Sequence, residues 1–285
     1  MRSSGHMHWN IADWCNYRCS YCCEGRSEPA PEQRFIDEGM IAAGLAFLSG
    51  LPRPWVVRLS SGEPSAHPGL LDLVRRICAL GHRAAMETNL SLPAERYLAF
   101  IAAAGGGLAY LHASLHLEQA DPEEFLAKCL RLQESLRGQG VQDKLQVSAV
   151  ALPERLAQIG ELADRLRRQG LVLILQDCYD RRRRAFRPAP GGAISAQCRR
   201  EAVAEFNREA GGPRGRLCAA GLRWLLLDFS GRLWRCQAAR REEQASRLAE
   251  SRGFLGDLRR GGGRRLGKPE PCPYECCLCP GRAIE

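Results

Sequence analysis

The sequence predicts an α/β fold: a partial (β/α)6, TIM-like barrel followed by a small Cys-rich β-hairpin extension. Two observations support this prediction. Strand-like and helix-like stretches alternate from residue 7 to about residue 212, and beyond that point the chain becomes rich in Gly, Pro and Cys. Alternating strands and helices form right-handed crossovers, which make neighbouring strands parallel. Six such units are fewer than the eight that close a barrel, so the predicted barrel is open.

Each element of the alternating region has a local signal. The strands are short apolar or alternating runs, at 8–13, 55–60, 82–88, 108–116, 144–151 and 171–176. The helices have apolar residues at helical spacing, at 35–48, 68–81, 93–105, 121–138, 153–170 and 194–212. Asp121 and Pro122 make a typical helix start. Residues 1–6 are set aside from the fold prediction as a leader.

The chain divides into a barrel domain at residues 7–212 and a second unit at residues 213–285. The clearest element of the second unit is a β-hairpin over residues 222–236, which turns at Ser230 and Gly231. The segment after the hairpin has too few apolar residues to form a core alone. It is therefore either a tail or a segment held together by a metal centre.

The composition is that of a folded, basic protein. Of the 285 residues 45% are hydrophobic, and the formal net charge is +9. No apolar run reaches the roughly 18 to 20 residues of a membrane span, and no export signal is present, so we expect a cytoplasmic location without membrane partners. In a reducing compartment the 14 cysteines indicate metal ligands rather than disulfides.

The arginine-rich run at residues 180–187 has two interpretations. It is either a binding site for an anionic partner or a solvated loop, and we favour the loop. No basic stripe interleaved with aromatic residues is present, which argues against a nucleic-acid partner.

Three cysteines stand close together after the first predicted strand. Cys15, Cys19 and Cys22 have the spacing C-x3-C-x2-C, and Cys23 follows directly as a neighbour rather than a ligand. Structural zinc takes four protein ligands. Three thiolates in one loop suit an iron–sulfur cluster that keeps one iron open. The loop lies where a parallel barrel carries its chemistry, at the carboxyl ends of the strands.

This spacing, with Tyr21 before the third cysteine, resembles the defining motif of the radical S-adenosylmethionine (SAM) superfamily. The sequence LSSGEP at residues 59–64 stands at the end of the second strand, where that family carries GGEP. Ser61 replaces the first glycine of that motif, while Gly62 and Glu63 remain. The resemblance covers roughly residues 8–210.

The resemblance implies cofactors and contacts. The three cysteines would hold a [4Fe–4S] cluster whose open iron chelates SAM, and an external electron donor of the flavodoxin or ferredoxin type would reduce it. The implied SAM contacts are Tyr21 at the adenine, the backbone of Ser61, Gly62 and Glu63 at the amino group, and Asn89 or Ser114 at the ribose or carboxylate. His112 and His116 are either substrate contacts or satisfied core histidines, and we favour the second interpretation.

The C-terminal cysteines resemble the SPASM and twitch extensions of radical SAM enzymes, and the shorter twitch type fits better. This resemblance implies an auxiliary [4Fe–4S] cluster with four Cys ligands. Cys218 and Cys236 are the first pair, and the pattern leaves open which two of four others complete the set: Cys272, Cys276, Cys277 and Cys279. The alternative is a zinc knuckle.

The predicted function is therefore reductive cleavage of SAM to a 5′-deoxyadenosyl radical, which takes a hydrogen atom from a peptide or a small metabolite. The outcome would be an oxidation, a cross-link or an epimerisation. For an epimerisation, Cys178 or Cys198 could return a hydrogen atom, although buried filler is the preferred interpretation of both. The alternative function is a non-enzymatic iron–sulfur or zinc protein that binds nucleic acid.

Overall fold

The computed structural model describes most of the predicted barrel domain and part of the extension. The described residues are 5–22, 24, 34–52, 54–176, 178–180, 185–187, 199–200, 217–218, 220–236, 240 and 253–271. Cys23, Cys198, Cys272, Cys276, Cys277 and Cys279 lie outside them.

Strands and helices alternate along the described residues from Gly5 to Gln176. The strands are β1 (Gly5–Asn10), β2 (Trp55–Ser60), β3 (Arg83–Thr88), β4 (Leu108–Leu115), β5 (Leu145–Val150), β6 (Leu173–Gln176), β7 (Cys178–Asp180), β8 (Ala185–Arg187), β9 (Arg199–Arg200), β10 (Leu217–Cys218), β11 (Trp224–Leu227), β12 (Arg232–Trp234), β13 (Phe254–Asp257) and β14 (Glu270–Pro271). The helices are α1 (Glu38–Ser49), α2 (Leu70–Ala79), α3 (Ala94–Ala104), α4 (Pro122–Gly138) and α5 (Leu156–Arg168).

The central sheet of the described residues has the order β13-β12-β11-β1-β2-β3-β4-β5-β6-β9. Strands β1 to β6 are parallel and stand in chain order, each joined to the next by a helical crossover. The six predicted strands and the parallel α/β sheet are thus confirmed. Because the order is sequential, the carboxyl ends of β1 to β6 and the loops that leave them share one edge of the sheet.

Two sequence predictions need correction. Strand β1 begins at Gly5 and pairs there with Trp55, so the last residues set aside as a leader belong to the sheet. The segment at residues 194–212 was predicted as a helix, but its described residues, Arg199 and Arg200, form β9 beside β6. The pairing satisfies backbone groups of β6 that would otherwise lie at a sheet edge. The rest of that segment lies outside the described residues.

The two faces of the sheet differ in character because side chains alternate along each strand. One face is apolar and packs under the helices, as Met7 and Trp9 do, both without exposed surface. The other face is largely polar, with His6 and His8 on β1. Helix α2 shows the matching pattern, because it buries Leu70, Leu73, Val74 and Ile77 on one side.

The helix starts also follow the sequence signals. The Asp121 carboxylate accepts hydrogen bonds from the backbone N–H groups of Glu123 and Glu124, at 2.9 and 2.8 Å, with Pro122 in the first turn. Such a cap satisfies N–H groups that have no partner inside the helix. None of the described helices combines the length and the apolar character needed to cross a membrane.

Strands β11 and β12 lie within the residues predicted to form a β-hairpin. Strands β11 and β12 are antiparallel, and the Asp228 carboxylate organises the turn by accepting from the N–H groups of Ser230 and Arg232 and from the Trp234 indole. Gly231 has a φ of +94°, which favours glycine. Strand β11 also pairs in parallel with β1, so the hairpin extends the central sheet.

The contact between α1 and β1 gives a stability test. A Cβ added at Gly44 would lie 2.3 Å from the ring of Trp9, which is fully buried and has no room to move. We expect Gly44→Ala to lower the free energy of unfolding by about 1–3 kcal/mol, the usual penalty of overpacking. Urea denaturation followed by circular dichroism measures this change.

The control is Gly138→Ala at the end of α4, where a Cβ would meet nothing within 4 Å. Alanine favours the helix over glycine, so this variant should be neutral or stabilised by up to about 1 kcal/mol. Equal stabilities of the two variants would contradict the packing of α1 on Trp9.

Candidate active site

The loop after β1 carries the three predicted cluster ligands. Cys15, Cys19 and Cys22 are each partly buried. The Cys15 sulfur accepts a hydrogen bond from the Tyr17 backbone N–H at 3.4 Å and from the Asn89 side-chain amide at 3.7 Å. Donors aimed at a sulfur stabilise its thiolate form and tune a cluster that it ligates. The structure therefore brings two predicted site residues, Cys15 and Asn89, into contact.

The turn at residues 61–63 packs directly against this cysteine loop. The Glu63 backbone N–H donates to the Trp14 carbonyl at 2.9 Å. Ser61 and Gly62 have φ values of +72° and +56°. A Cβ at Gly62 would lie 2.0 Å from the Trp14 carbonyl oxygen, so only glycine permits the close approach. The glycine that the sequence motif retains is thus needed at this position.

The Glu63 side chain joins the ends of β2 and β3. It is fully buried, and its Oε1 accepts hydrogen bonds from the Ser65 N–H at 3.0 Å, the Ser65 hydroxyl and the Thr88 hydroxyl at 2.7 Å. Its Oε2 accepts from the Asn89 N–H at 2.8 Å. Burial raises the pKa of Glu63, and these four donors act in the opposite direction by stabilising the carboxylate.

Asn89 continues this connection to the cysteine loop. Its side-chain amide donates to the Asn16 side chain at 3.0 Å as well as to the Cys15 sulfur, and its Oδ1 accepts from the Ser91 N–H at 2.9 Å. With its backbone fixed by Glu63, Asn89 is held in one orientation. Its predicted contact with the ribose or carboxylate of SAM stays a prediction.

Tyr21 lies in a small buried cluster at the other end of the loop. Its ring stacks on His116 with centroids 5.9 Å apart, and its hydroxyl is 3.0 Å from His116 Nδ1. Burial raises the pKa of Tyr21 and lowers the pKa of His116 to about 4, so the hydrogen bond joins two neutral groups. Leu152 and Cys178 pack against the same ring. The predicted adenine contact of Tyr21 is not tested by this geometry.

The sequence analysis missed a second support of the loop, residues 116–120 after β4. The Glu118 carboxylate accepts from the Ser20 N–H at 2.7 Å and from the Ser20 hydroxyl at 2.5 Å. The Gln119 side chain accepts from the Arg18 N–H at 3.4 Å. No pattern in the sequence marks these residues, because the two contacts join positions 98 and 101 residues apart.

Ser114 lies on β4, on the polar face of the sheet. Its hydroxyl is 3.0 Å from the Ser148 hydroxyl, which is also 2.9 Å from Nε2 of His112. His112 is thus buried and hydrogen-bonded, which agrees with the preferred interpretation of that residue. Its Nδ1 is 3.6 Å from Glu87, which also pairs with Arg58.

These side chains form a polar wall across β2 to β5, defined by Arg58, Glu87, His112, Ser114 and Ser148. The charges of Arg58 and Glu87 compensate each other. Beside them on β1, burial and the neighbouring Arg58 lower the pKa of His8 well below its usual value, so its imidazole is neutral. The wall offers hydrogen-bonding groups with little net charge.

The described C-terminal cysteines lie in one place. Cys218 and Cys236 belong to the same small apolar cluster, with Trp234 among its members. Arg240, four residues beyond Cys236, forms an ion pair with Glu24 at 3.3 Å, two residues beyond Cys22. The extension therefore approaches the cysteine loop of the sheet. The other four predicted auxiliary ligands lie outside the described residues.

The donor set of the loop fits an iron–sulfur cluster, because three thiols in one loop can ligate three irons and leave the fourth open. Among the described residues, no three His, Cys, Asp or Glu side chains converge on one point. Burial raises the pKa of Cys19 to about 12, so a bound metal centre is what would displace its proton.

The fold and the loop define a class of protein, an α/β protein with a thiol-rich cofactor site at the carboxyl ends of parallel strands. The profile of the radical SAM superfamily matches residues 9–152, a little over half of the chain. The chain belongs to the radical SAM superfamily, whose members bind a [4Fe–4S] cluster and SAM.

The curated relatives match only part of their own length. A GTP 3′,8-cyclase of Synechococcus elongatus is 30% identical over 136 residues, 44% of this chain and 38% of the relative. GTP 3′,8-cyclase 1 of Pseudomonas aeruginosa is 30% identical over 128 residues, 44% of this chain and 37% of the relative. The chain thus matches less than half the length of these relatives.

Solved structures agree in fold over most of the chain. Native anSMEcpe with bound AdoMet superposes with a TM-score of 0.57 at 11% identity, covering 89% of this chain and 78% of that protein. Streptococcus suis SuiB bound to S-adenosylmethionine gives 0.58 at 13% identity, covering 83% and 61%. At these identities the likeness concerns the fold alone.

The tight approach of the 61–63 turn to the loop gives a second test. We expect Gly62→Ala to push the Trp14 carbonyl away and to displace Cys15 with it. Iron bound per chain after anaerobic reconstitution should fall by about tenfold, the range seen when the support of metal ligands is lost. Iron analysis measures the loss, and circular dichroism reports whether the fold persists.

Gly106→Ala is the matched control, since a Cβ there meets nothing within 4 Å and its φ is not positive. It should bind iron like the unaltered protein. Full iron binding by Gly62→Ala would show that the turn does not position the cysteine loop.

Proposed function

We propose that the protein is a radical SAM enzyme, built as a partial (β/α)6 barrel at residues 7–212, that takes a hydrogen atom from a peptide or small-molecule substrate. The observation that carries the proposal is the contact of the three-cysteine loop with the 61–63 turn and with Asn89 at one edge of a parallel sheet. In the contact between the cysteine loop, the 61–63 turn and Asn89, Cys15, Cys19 and Cys22 would hold the [4Fe–4S] cluster. When bound, the cluster would supply the electron that cleaves SAM to methionine and the 5′-deoxyadenosyl radical.

The residues of the turn bind and orient the cofactor in this proposal. All four donors around Glu63 come from the protein and its side chain is fully buried. The side chain therefore orients the turn, and the backbone of Ser61, Gly62 and Glu63 is the part that meets the SAM amino group. Tyr21 and Leu152 add apolar surface beside the loop, which helps to exclude water from a reactive site.

We assign residues 213–285 to a twitch- or SPASM-like extension with an auxiliary [4Fe–4S] cluster. Three observations support this assignment. Cys218 and Cys236 share one apolar cluster, the pair between Arg240 and Glu24 brings the extension to the loop, and the two solved structures described above align with 83% and 89% of the chain. Two of the four remaining C-terminal cysteines would complete the ligand set.

The polar wall favours a substrate that forms hydrogen bonds and carries little negative charge. In the polar wall the positive charge of Arg58 is compensated by Glu87. The other members of the wall are two hydroxyl groups and one histidine. A peptide meets this requirement. Other structures of the two proteins named above are described with a Cp18Cys peptide and with precursor peptide SuiA. Oxidation, cross-linking and epimerisation are the outcomes we consider, in the cytoplasm and with a flavodoxin- or ferredoxin-type donor.

A second candidate function is the cyclisation of GTP. The relatives at about 30% identity are named GTP 3′,8-cyclases, which favours this reaction. The net charge of +9 also suits a triphosphate. Against it, the match covers less than half of each relative.

The proposed radical chemistry is tested by anaerobic reconstitution with iron and sulfide, followed by SAM and dithionite. The unaltered protein should form 5′-deoxyadenosine, and the variant Cys15→Ala/Cys19→Ala/Cys22→Ala should form none, because it cannot hold the reducing cluster. Liquid chromatography quantifies the nucleoside. Cys23→Ser is the matched control and should retain cleavage, since Cys23 is not a predicted ligand.

Iron content separates the two clusters in the same samples. About eight irons per chain indicate two [4Fe–4S] clusters, and Cys218→Ala/Cys236→Ala should then lower the count to about four without abolishing cleavage. A count of about four irons in the unaltered protein would refute the proposal of an auxiliary cluster. Zinc in place of iron and no cleavage with any reductant would refute the enzyme and favour a nucleic-acid-binding protein.

GTP distinguishes the two candidate substrates. Because the polar wall has no uncompensated cation, we expect GTP at about 1 mM, the upper end of ordinary KM values, to leave the rate of 5′-deoxyadenosine formation unchanged. Mass spectrometry should likewise find no cyclised nucleotide. A GTP-dependent increase together with such a product would replace the peptide proposal by the second candidate.

A further inference from the structure

Glu118 makes an unusual contact for an exposed acidic residue. Both of its carboxylate oxygens are engaged by one residue, Ser20, through the backbone N–H at 2.7 Å and the hydroxyl at 2.5 Å. Ser20 lies between Cys19 and Cys22. In the described part of the chain Glu118 forms no ion pair, so its contact with the cysteine loop is not a by-product of a surface salt bridge.

The segment that carries Glu118 is itself held in place. The His116 carbonyl accepts from the N–H groups of Gln119 and Ala120, both at 2.9 Å, which closes a turn directly after β4. The His116 side chain stacks on Tyr21, and Gln119 accepts from the Arg18 N–H. Three successive contacts thus connect this turn to the half of the loop that contains Cys19 and Cys22.

The cysteine loop needs such external support because it has little internal structure. Within residues 15–22 the described backbone–backbone bond is that of the Cys22 N–H to the Cys19 carbonyl at 3.1 Å. Arg18 adds bonds from its guanidinium to the carbonyls of Cys15 and Tyr17. Asn89, directly after β3, holds the Cys15 end, and in the described part of the chain its side chain makes no hydrogen bond to the Cys19 end.

We propose that Glu118 is a positioning residue for the cluster: it fixes Ser20, sets the spacing of Cys19 and Cys22, and places a negative charge beside the centre that they ligate. The inference rests on the proposed function in requiring the cluster at these cysteines. It predicts two separable effects, one from the hydrogen bonds and one from the charge.

The loss of the hydrogen bonds and the loss of the charge have different measurable consequences. Loss of the hydrogen bonds loosens the loop and exposes the cluster to chelators. Loss of the charge makes reduction of an anionic centre easier, so the midpoint potential becomes more positive, and added salt weakens this shift because the residue is exposed.

Three variants separate these effects. Glu118→Ala removes both, so we expect iron loss to a chelator such as bathophenanthroline to be about 10-fold faster or more, the usual scale for lost support of metal ligands. Glu118→Gln keeps one acceptor and loses the charge, so its midpoint potential should rise at low salt while most of its iron stays. Ser20→Ala keeps the charge and should leave the potential unchanged.

The control is Glu154→Gln, an exposed acid after β5, which forms no hydrogen bond or ion pair with the described residues of the loop. Chelator kinetics, redox titration and the electron paramagnetic resonance spectrum of the reduced cluster are compared in all four variants. If Glu118→Ala matches Glu154→Gln in all three measurements, the inference is wrong while the proposed function stands. If the unaltered protein holds no cluster, the proposed function fails first.

Discussion

The site depends on one buried carboxylate. Glu63 accepts four hydrogen bonds, two from Ser65, one from Thr88 and one from Asn89. A buried carboxylate is unfavourable unless donors satisfy it, and here the donors come from the ends of two different strands. Satisfying the charge therefore requires β2 and β3 to meet in one arrangement. That arrangement places the Asn89 amide on Cys15 and the 61–63 turn on Trp14.

The same constraint explains why strained backbone persists beside the site. Ser61 has a left-handed φ, which is unfavourable by about 1–3 kcal/mol for a residue other than glycine. A residue keeps such a conformation when contacts with the surrounding structure stabilise it by more than its intrinsic cost. Two sets of hydrogen bonds hold the turn in this conformation. The Glu63 N–H donates to the Trp14 carbonyl, and the Glu63 carboxylate accepts from Ser65, Thr88 and Asn89. The turn is thus fixed before any cofactor arrives, which lowers the entropy lost on binding.

Much of the fold could be predicted because its signals are local. The bounds of β2 agree with the prediction, and the Asp121 cap and the hairpin turn at Gly231 depend on neighbouring residues. What could not be predicted depends on distant pairing. The parallel pairing of β11 with β1 joins residues more than 200 positions apart, and Glu118 meets Ser20 across 98 positions. The sequence motif at Glu63 indicated the site. That the Glu63 side chain joins the ends of β2 and β3 could be recognised only from the positions of Thr88 and Asn89 in the structure.

The two ends of the cysteine loop are supported by chemically different contacts, and the difference follows from burial. At the Cys15 end the support is buried and depends on Glu63, whose loss would leave several donors without partners. At the Cys19 end the buried stack of Tyr21 on His116 is joined by the exposed Glu118, whose hydrogen bonds compete with water and are individually weaker. The exposed part of this support can adjust to the centre that binds, while the buried contacts hold the three ligands in register. Glu24, two residues beyond Cys22, pairs with Arg240, so the extension contacts the chain directly after this end of the loop.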